Sequence, residues 1–542
     1  MNLGWLGQEK LLERKSYLAP VEILGFSALL FLPGLGARDF WAPGEPIYGE
    51  VIRGMYERSD WLVPMLNGQI YADKPVLYFW LALIVAKIGG GVTEWVARLP
   101  AAFGGLGLAL ATYQFGKVFY DRQTGVLSAL VLATSSRMLW ESRFLRLDTV
   151  LSFFLFGGFY FFLVAFTKRG SAKNYLIAYF CFAMATLTKG PIGIVLPGFA
   201  ILGMILISGR RKEIKDLRLV AGALVVAAVI VPWLLLLHLS GNDQWLNDFI
   251  WVHNVQNYAL EPLGHVQPFY YYFWNLPLDF LPWTLLIPGA LIFYYPWRAK
   301  LQYIPSLGLA CWFGSILVFF SLSKSKISYY LLPLLPSLAL LAGCYFHALI
   351  TAGEHQGAHW QWTAKFLYLL ACLFGLMGMA LPFAAFKIEP ALFSWALLAA
   401  VVFIAGSLGM WIFLRRRQVG YFLSGVLVVL LATSLIASAR VFPYLDKYKS
   451  PRPIGEAIRS RLPADAAVYV FKSKMADFNY YARRALIPVV ASANELKLAP
   501  PYREAYLIIN QKDLNQLKTN FTLQSVTEHG IGERKWYLLK FF

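Results

Sequence analysis

Glu45, Asp73, Lys74, Arg146, Asp148, Lys189 and Lys324 are ionisable groups set in short polar stretches between long apolar runs. Acids in such positions suit proton transfer, and bases suit the capture of an anion. The first polar stretch, ARDFWAPGEPIYGEVIRGMYERSDWLVPMLNGQIYADKP, is the densest. Glu45 follows Pro-Gly there, and Asp73-Lys74-Pro75 closes it. Glu50, Arg53 and Glu57 fall on one side of an expected helix and read as a solvated face. In ESRFLRLDTV, Asp148 opens an apolar run with Arg143 and Arg146 before it. A lone acid at such a boundary needs a partner, so an Arg–Asp pair is expected there. Alternatively, Asp148 orients an arginine for phosphate or helps hold a metal. Lys189 in TKGPIG and Lys324 and Lys326 in SKSKISYY lie in short turns. They suit phosphate as point charges, or anchor helix ends by snorkelling. His253 and His265 share a second polar stretch and could join Asp73 on a divalent metal, without HxxxH or CxxC spacing.

The elements that must position these residues are membrane helices. The 542 residues are 58% hydrophobic and 15% charged, with a mean hydropathy of +0.54. Apolar runs of about 18–25 residues recur, the length that crosses a hydrocarbon core of roughly 30 Å. Spans are expected at 19–36, 97–115, 122–138, 147–167, 172–188, 190–208, 219–240, 277–297, 304–322, 327–350, 365–386, 391–414 and 419–440. The continuous apolar character excludes a β-barrel. A shorter stretch, 75–90, reads as a re-entrant or interfacial helix.

Parity supports about thirteen crossings. With the N-terminus inside, they place Lys117, Arg122, Lys168, the 210–218 cluster, Arg298 and Arg415 to Arg417 inside. Counting 75–90 as a crossing would put them outside. The net charge of +19 is thereby an orienting charge, and nucleic-acid binding is not expected. Loops 37–96 and 241–276 fall outside, together with Arg143, Arg146, Lys189, Lys324 and Lys326. Cations on the side that disfavours them point to an anionic ligand. The four cysteines lie in apolar spans as small hydrophobes. No cleavable signal peptide is expected in MNLGWLGQEKLLERKS.

The character changes near residue 440. FPYLDKYKSPRP reads as an extended linker, GEAIRSRL and ADFNYYAR as helices, and AAVYVF, LIPVV, AYLIIN and WYLLKFF as strands. The expected domains are a transmembrane domain over 1–440 and a small soluble extracytoplasmic α/β domain over 441–542, without a disulfide framework.

In series, YGEVIRGMYERSDWLVPMLNGQIYADKPVLYFWL, FLRLDTVLSFF, LTKGPIG, HNVQNY with HVQPFYYY, SKSKISYYLLPLLP and RVFPYLDKYKSPRPIGEAI resemble the polyprenyl-phosphate-sugar-dependent glycosyltransferases of the GT-C class. The nearest likeness is to the aminoarabinose transferase and protein O-mannosyltransferase group, and it covers nearly the whole chain. The resemblance implies an α-helical polytopic membrane protein of about thirteen spans with a small outer domain. It implies transfer of a sugar from an undecaprenyl-type phosphate to lipid A, another glycan or a protein hydroxyl, at the outer face of the bacterial cytoplasmic membrane. Membrane lipids are the other partners, and a monomer is expected. Carried over by position, Lys74 resembles the lysine near the active-site phosphate, and Asp73 stands where the family often has a metal-binding glutamate. His265, then His253, is the matching histidine, and Asp148 matches an acid at the start of its span. The family commonly has Asp-Glu where this chain has Gly44-Glu45, so the usual catalytic aspartate is absent.

The expected chemistry is displacement at an anomeric carbon through an oxocarbenium-like transition state. Lys74, Arg146, Lys189 and Lys324 would stabilise the departing phosphate. Glu45 would serve as base or orient the acceptor, with Asp148 as substitute, and a divalent ion at Asp73 and His265 could bridge phosphates. The rival reading is a flippase or exporter for lipid-linked sugars, or a non-catalytic member that only binds the lipid. A transporter would show ionisable groups or broken helices near mid-span and inverted repeats. The ionisable residues gather instead at one face.

Overall fold

The computed structural model describes residues 4–167, 171–249, 266–294, 303–351, 357–473, 476–498, 505–517 and 521–541. They form two compact units, one of 1–33, 100–239 and 246–437, the other of 34–99, 240–245 and 438–542.

The first unit is helical. Among the described residues, eight helices are long and apolar enough to cross a membrane, or nine if one bent pair counts as a span. In chain order the early helices of the chain are α1 (Gly4–Phe31), α2 (Glu45–Arg58), α3 (Leu77–Gly89), α4 (Glu94–Phe119), α5 (Arg122–Ala133), α6 (Ser136–Glu141), α7 (Asp148–Thr167), α8 (Ala172–Lys189), α9 (Ile192–Ser208) and α10 (Leu219–Leu239). Of these, α2 and α3 belong to the second unit.

Two expected spans are interrupted. The run 122–138 divides into α5 and α6. At the break the Thr134 hydroxyl donates to the Leu130 carbonyl and the Ser135 hydroxyl to that of Leu132, side-chain bonds that compete with helix continuation. The run 277–297 is bent rather than a single straight helix. Tyr271–Asp279 and Trp283–Ile292 meet at 102°. Pro282 lies in the break, where it removes an N–H and disfavours helix at Leu281. Residues 295–297 lie outside the described residues.

The second unit contains a five-stranded mixed sheet. Its strands are β3 (Ala467–Phe471), β4 (Val489–Val490), β5 (Ala505–Asn510), β6 (Leu523–Ile531) and β7 (Arg534–Phe541), after a short hairpin of β1 (Met65–Leu66) and β2 (Gln69–Ile70). The order is β4-β3-β5-β7-β6, with β3 parallel to β4 and β5, and β7 antiparallel to β5 and β6. The period of two along the strands sorts the core. Val468, Val470, Ile508 and Leu538 pack with Ile454 and Ile458, whereas Phe471, Leu507, Ile509 and Leu539 pack with Leu514 and Leu517. β6 is absent from the sequence reading because LQSVTEHGI carries too few apolar residues to announce a strand.

α3 spans 13 residues and ends at Gly90, φ 78°. At 1.5 Å per residue it reaches about 20 Å, short of a crossing. The expected extended linker is corrected: Phe442–Lys449 is helical. Pro443 sits in its first turn, where no N–H is missed, and the helix stops before Ser450-Pro451. The 37–45 segment is tied to this stretch. Asp446 accepts from Trp41 Nε1 at 2.6 Å and from the Asp39 N–H at 3.1 Å. Asp39 accepts from Ser450 Oγ at 2.7 Å and Arg452 at 2.9 Å.

Candidate functional site

Within the helical unit, the candidate groups gather at helix ends. Asp148 is the first residue of α7, and Lys189 the last of α8. An acid in a first turn and a base in a last turn are each favoured by the helix dipole. Because α7 and α8 are consecutive and packed together, these ends meet, and Lys189 Nζ lies 2.6 Å from Asp148 Oδ1. Gly190, at φ 85°, turns the chain directly after Lys189. Gly104 of α4 seats the start of α7, since a Cβ there would lie 2.7 Å from the Val150 nitrogen. The Thr149 hydroxyl reinforces this approach by donating to the Ala101 carbonyl at 2.8 Å.

Two aromatic rings floor the cations. Arg146 lies 4.3 Å over the Tyr329 ring. Lys189 lies 5.4 Å from Tyr329 and 4.3 Å from Tyr330. A cation held on a ring face beside a carboxylate keeps donor directions for a further anion. The side chains are 27% exposed for Arg146 and 11% for Lys189, so both can be reached.

The expected Arg–Asp pair is therefore a Lys–Asp pair. Arg146 turns to Glu141, with Nε 3.6 Å from Oε2. Glu141 is fully buried and takes Arg137 at 3.1 Å through its other oxygen. Arg137 continues to Asp279 at 2.5 Å. The sequence reading passes over Glu141, Arg137 and Asp279, although the four-residue spacing of Arg137 and Glu141 is a visible signal. Tyr329 and Tyr330 escape it because nothing in SKISYYLLP shows what they face.

The other cations of this set divide. Arg143 is buried and donates to the Leu30 and Pro33 carbonyls, which satisfies orphan acceptors at the end of α1. Lys326 is buried and donates to the carbonyls of Ser323 and of Gln267, the latter at 3.0 Å. Both are fastenings of the fold rather than interfacial anchors. Lys324 stands exposed in the same turn.

In the second unit Glu45 is the first residue of α2 and 3% exposed. Arg38 reaches its Oε2 at 2.6 Å and Arg98 its Oε1 at 2.9 Å, while the Trp41 N–H donates to Oε2 at 3.0 Å. Burial alone would raise this carboxyl, but Arg38 and Arg98 hold it well below the usual carboxylate range. Arg38 itself is drawn down to about 10 by burial and by Arg98. A carboxylate so held is a poor proton acceptor. Gly44, at φ 111°, adopts a backbone conformation that residues with side chains disfavour. Its N–H donates to Asp477 Oδ1 at 3.4 Å. Asp477 is 1% exposed, and burial pushes its carboxyl up to about 6 against the pull of that N–H.

Asp73 and Lys74 pair with each other at 2.7 Å, and Tyr71 donates to the second Asp73 oxygen at 3.0 Å. The expected solvated face of α2 is corrected in part. Arg53 meets Glu50 at 2.6 Å with both buried, and Glu57 at 2.9 Å with only Glu57 exposed. His253 and His265 lie outside the described residues. Among the described residues no three His, Cys, Asp or Glu side chains are placed to share a metal.

Apolar helices that carry basic and acidic side chains at their ends, with an α/β segment after them, define a multi-pass membrane protein. The solved ArnT of Cupriavidus metallidurans bound to undecaprenyl phosphate superposes with a TM-score of 0.78 at 22% identity, covering 96% of this chain and 97% of that one, so the two share a fold. The Dolichyl-phosphate-mannose-protein mannosyltransferase family matches residues 73–236. The undecaprenyl phosphate-alpha-4-amino-4-deoxy-L-arabinose arabinosyl transferase of Serratia proteamaculans is 29% identical over 358 residues, 65% of this chain and 63% of that protein. Its counterpart in Shewanella sediminis is 28% identical over 515 residues, 91% and 89% of the two chains. The match thus spans less than two thirds of the first relative and most of the second. In sequence and fold the chain is similar to the aminoarabinose transferases.

Proposed function

We propose that this protein is an integral membrane glycosyltransferase that moves a sugar from an undecaprenyl-type phosphate to lipid A or a related envelope acceptor. The activity of the relatives supports the donor and the sugar class. The observation that carries the reading is the convergence of Arg146 and Lys189 on the Tyr329 ring, at helix ends and within reach of solvent. Two adjacent cations of this kind suit a phosphate monoester or diester. The proposed topology keeps thirteen crossings, with the shorter helices α8 and α9 among them, and puts the C-terminal sheet on the outer side.

In the reaction, the acceptor oxygen attacks the anomeric carbon, the bond from that carbon to the donor phosphate oxygen breaks, and polyprenyl phosphate leaves with the electron pair. Arg146 and Lys189 stabilise the leaving phosphate as its charge grows. Lys74 and Lys324 supply further positive potential to the anion each can reach. Asp148 is the better-placed acid of the pair proposed from sequence. Its pairing with one ammonium leaves it able to orient a polar acceptor group, whereas Glu45 is fully engaged with Arg38 and Arg98. Of the proposed metal ligands, Asp73 is the described one, and its oxygens serve Lys74 and Tyr71. That pairing does not by itself make a ligand set.

The test is transfer from a radiolabelled polyprenyl-phosphate sugar in membranes, read as free polyprenyl phosphate released. Wild type releases it in step with acceptor labelling, and Lys189→Ala does neither. Passage of the intact donor across the bilayer without release would support a transporter and overturn the proposal.

A further inference from the structure

The cluster contains one group that no binding role explains. Glu141 is fully buried and pairs with Arg146. Burial of a carboxylate this deep is costly unless its charge is matched. Here the match comes from two guanidiniums on opposite oxygens, Arg137 on Oε1 and Arg146 on Oε2. Arg137 is in turn fixed by Asp279, which receives both Nε at 2.9 Å and Nη2 at 2.5 Å. The charges therefore alternate along a chain, Asp279, Arg137, Glu141, Arg146, whose inner end is 5% exposed at Asp279 and whose outer end is 27% exposed at Arg146. A long flexible arginine on a ring face can rotate in that plane. The buried Glu141 carboxylate, 3.6 Å from Nε and beyond hydrogen-bond length, favours through its charge one setting of the guanidinium.

We propose that Glu141 is a positioning residue that aims Arg146 at the donor phosphate, and that Arg137 and Asp279 hold Glu141 in register. The inference rests on the reading of Arg146 as a phosphate-binding group. It extends that reading to three residues that never meet the lipid. Glu141 and Arg146 act as one unit, so their effects are not additive.

The experiment is a double-mutant cycle on the full-length protein in detergent or nanodiscs, with undecaprenyl phosphate as probe. Affinity and the donor KM are both measured. Arg146→Ala should weaken undecaprenyl phosphate binding on the order of tenfold or more, the scale of a lost charge-assisted contact. Glu141→Gln keeps the shape and removes the charge. It should weaken binding several-fold, raise donor KM and lower kcat by less than Arg146→Ala does, because Arg146 also meets the leaving phosphate. In the Arg146→Ala background, Glu141→Gln should add almost nothing. Asp279→Asn tests the far end of the chain should the Glu141 variant fail to fold, and it should give a smaller shift that also vanishes without Arg146. If Arg146→Ala leaves affinity unchanged, the phosphate reading fails, and the positioning role with it. If Arg146→Ala weakens binding and the Glu141 and Asp279 variants add their losses independently, or lower kcat alone, the positioning role is overturned while the phosphate reading stands.

Discussion

Glu45 and Asp148 are both acids in the first turn of a helix, and both pair with cations, yet they sit in opposite kinds of site. Glu45 is closed between Arg38 and Arg98, with all three side chains 3% exposed or less. Asp148 meets Lys189, and Lys189 and its neighbour Arg146 lie on tyrosine faces with solvent access. The difference is one of stoichiometry and burial rather than residue type. Two guanidiniums around one carboxylate leave no capacity for a ligand, and the group becomes a joint of the fold. One ammonium per carboxylate at an accessible helix end is the arrangement proposed to meet an incoming anion. Asp477 completes the comparison as a buried acid that meets a backbone N–H of Gly44 and is driven toward its neutral form.

The sharpest way to break the comparison is to open the closed joint. Glu45→Ala strands Arg38 and Arg98 without their counter-charge and should cost roughly 3–5 kcal/mol of stability, the range for breaking a buried pair. Thermal unfolding in detergent reads this directly. A stable Glu45→Ala protein that binds donor normally but transfers no sugar would reverse the assignment and make Glu45 catalytic. At the open cluster, Lys189→Met should leave the unfolding midpoint nearly unchanged and lower the transfer rate by ~10²–10³, as expected when a preorganised charge is lost. A variant that unfolds early and loses little rate per folded molecule would make the open cluster a second joint.

What was legible in the sequence follows from the same contrast. The helices were legible because apolar length is a local property, and so were β3, β5 and β7, with their runs of branched and aromatic residues. Breaks at Thr134–Ser135 and Pro282 were less so, since hydroxyls and prolines interrupt some helices and merely bend others. Lys189, Arg146 and Asp148 stand out as candidates because charge at a span end is conspicuous. Their partners do not, because the Lys189–Asp148 contact joins positions 41 residues apart. Arg98, 53 residues from Glu45, was invisible for the same reason, and so Glu45 read as a candidate base.

The pH dependence separates the two kinds of buried acid with opposite sign. Glu45 has a depressed folded value, so its contribution is present above the ordinary carboxylate range and is lost only under strong acid. Asp477 has a folded value raised from 3.8 to about 6. Its favourable contribution is complete below 3.8 and is lost as pH rises through about 6. Asp477→Asn keeps an acceptor for the Gly44 N–H and cannot ionise. Its stability should gain on wild type by up to ~3 kcal/mol between pH 4 and pH 7, because each tenfold change in proton affinity is worth about 1.4 kcal/mol. Unfolding measured across that window reads the gain. A constant difference would mean that Asp477 stays charged through a partner.

Lys324 and Lys326 offer the smallest and cleanest contrast, two lysines in one turn. Lys326 is buried on two backbone carbonyls, those of Ser323 and Gln267, so Lys326→Met should cost about 1.5–3 kcal/mol through charge-assisted bonds that nothing replaces. Lys324 is exposed, and an exposed cation is worth about 0–1 kcal/mol to its neighbours. Its contribution to an anionic donor acts through the solvent and is screened over roughly 10 Å at 0.1 M salt. Lys324→Met should therefore raise donor KM by no more than about fivefold at low ionic strength, an amount within that range, and by less as salt is added. Unfolding should not move. A salt-independent loss of tenfold or more would place Lys324 in direct contact with the phosphate, and would move it from the field of the site into the site itself.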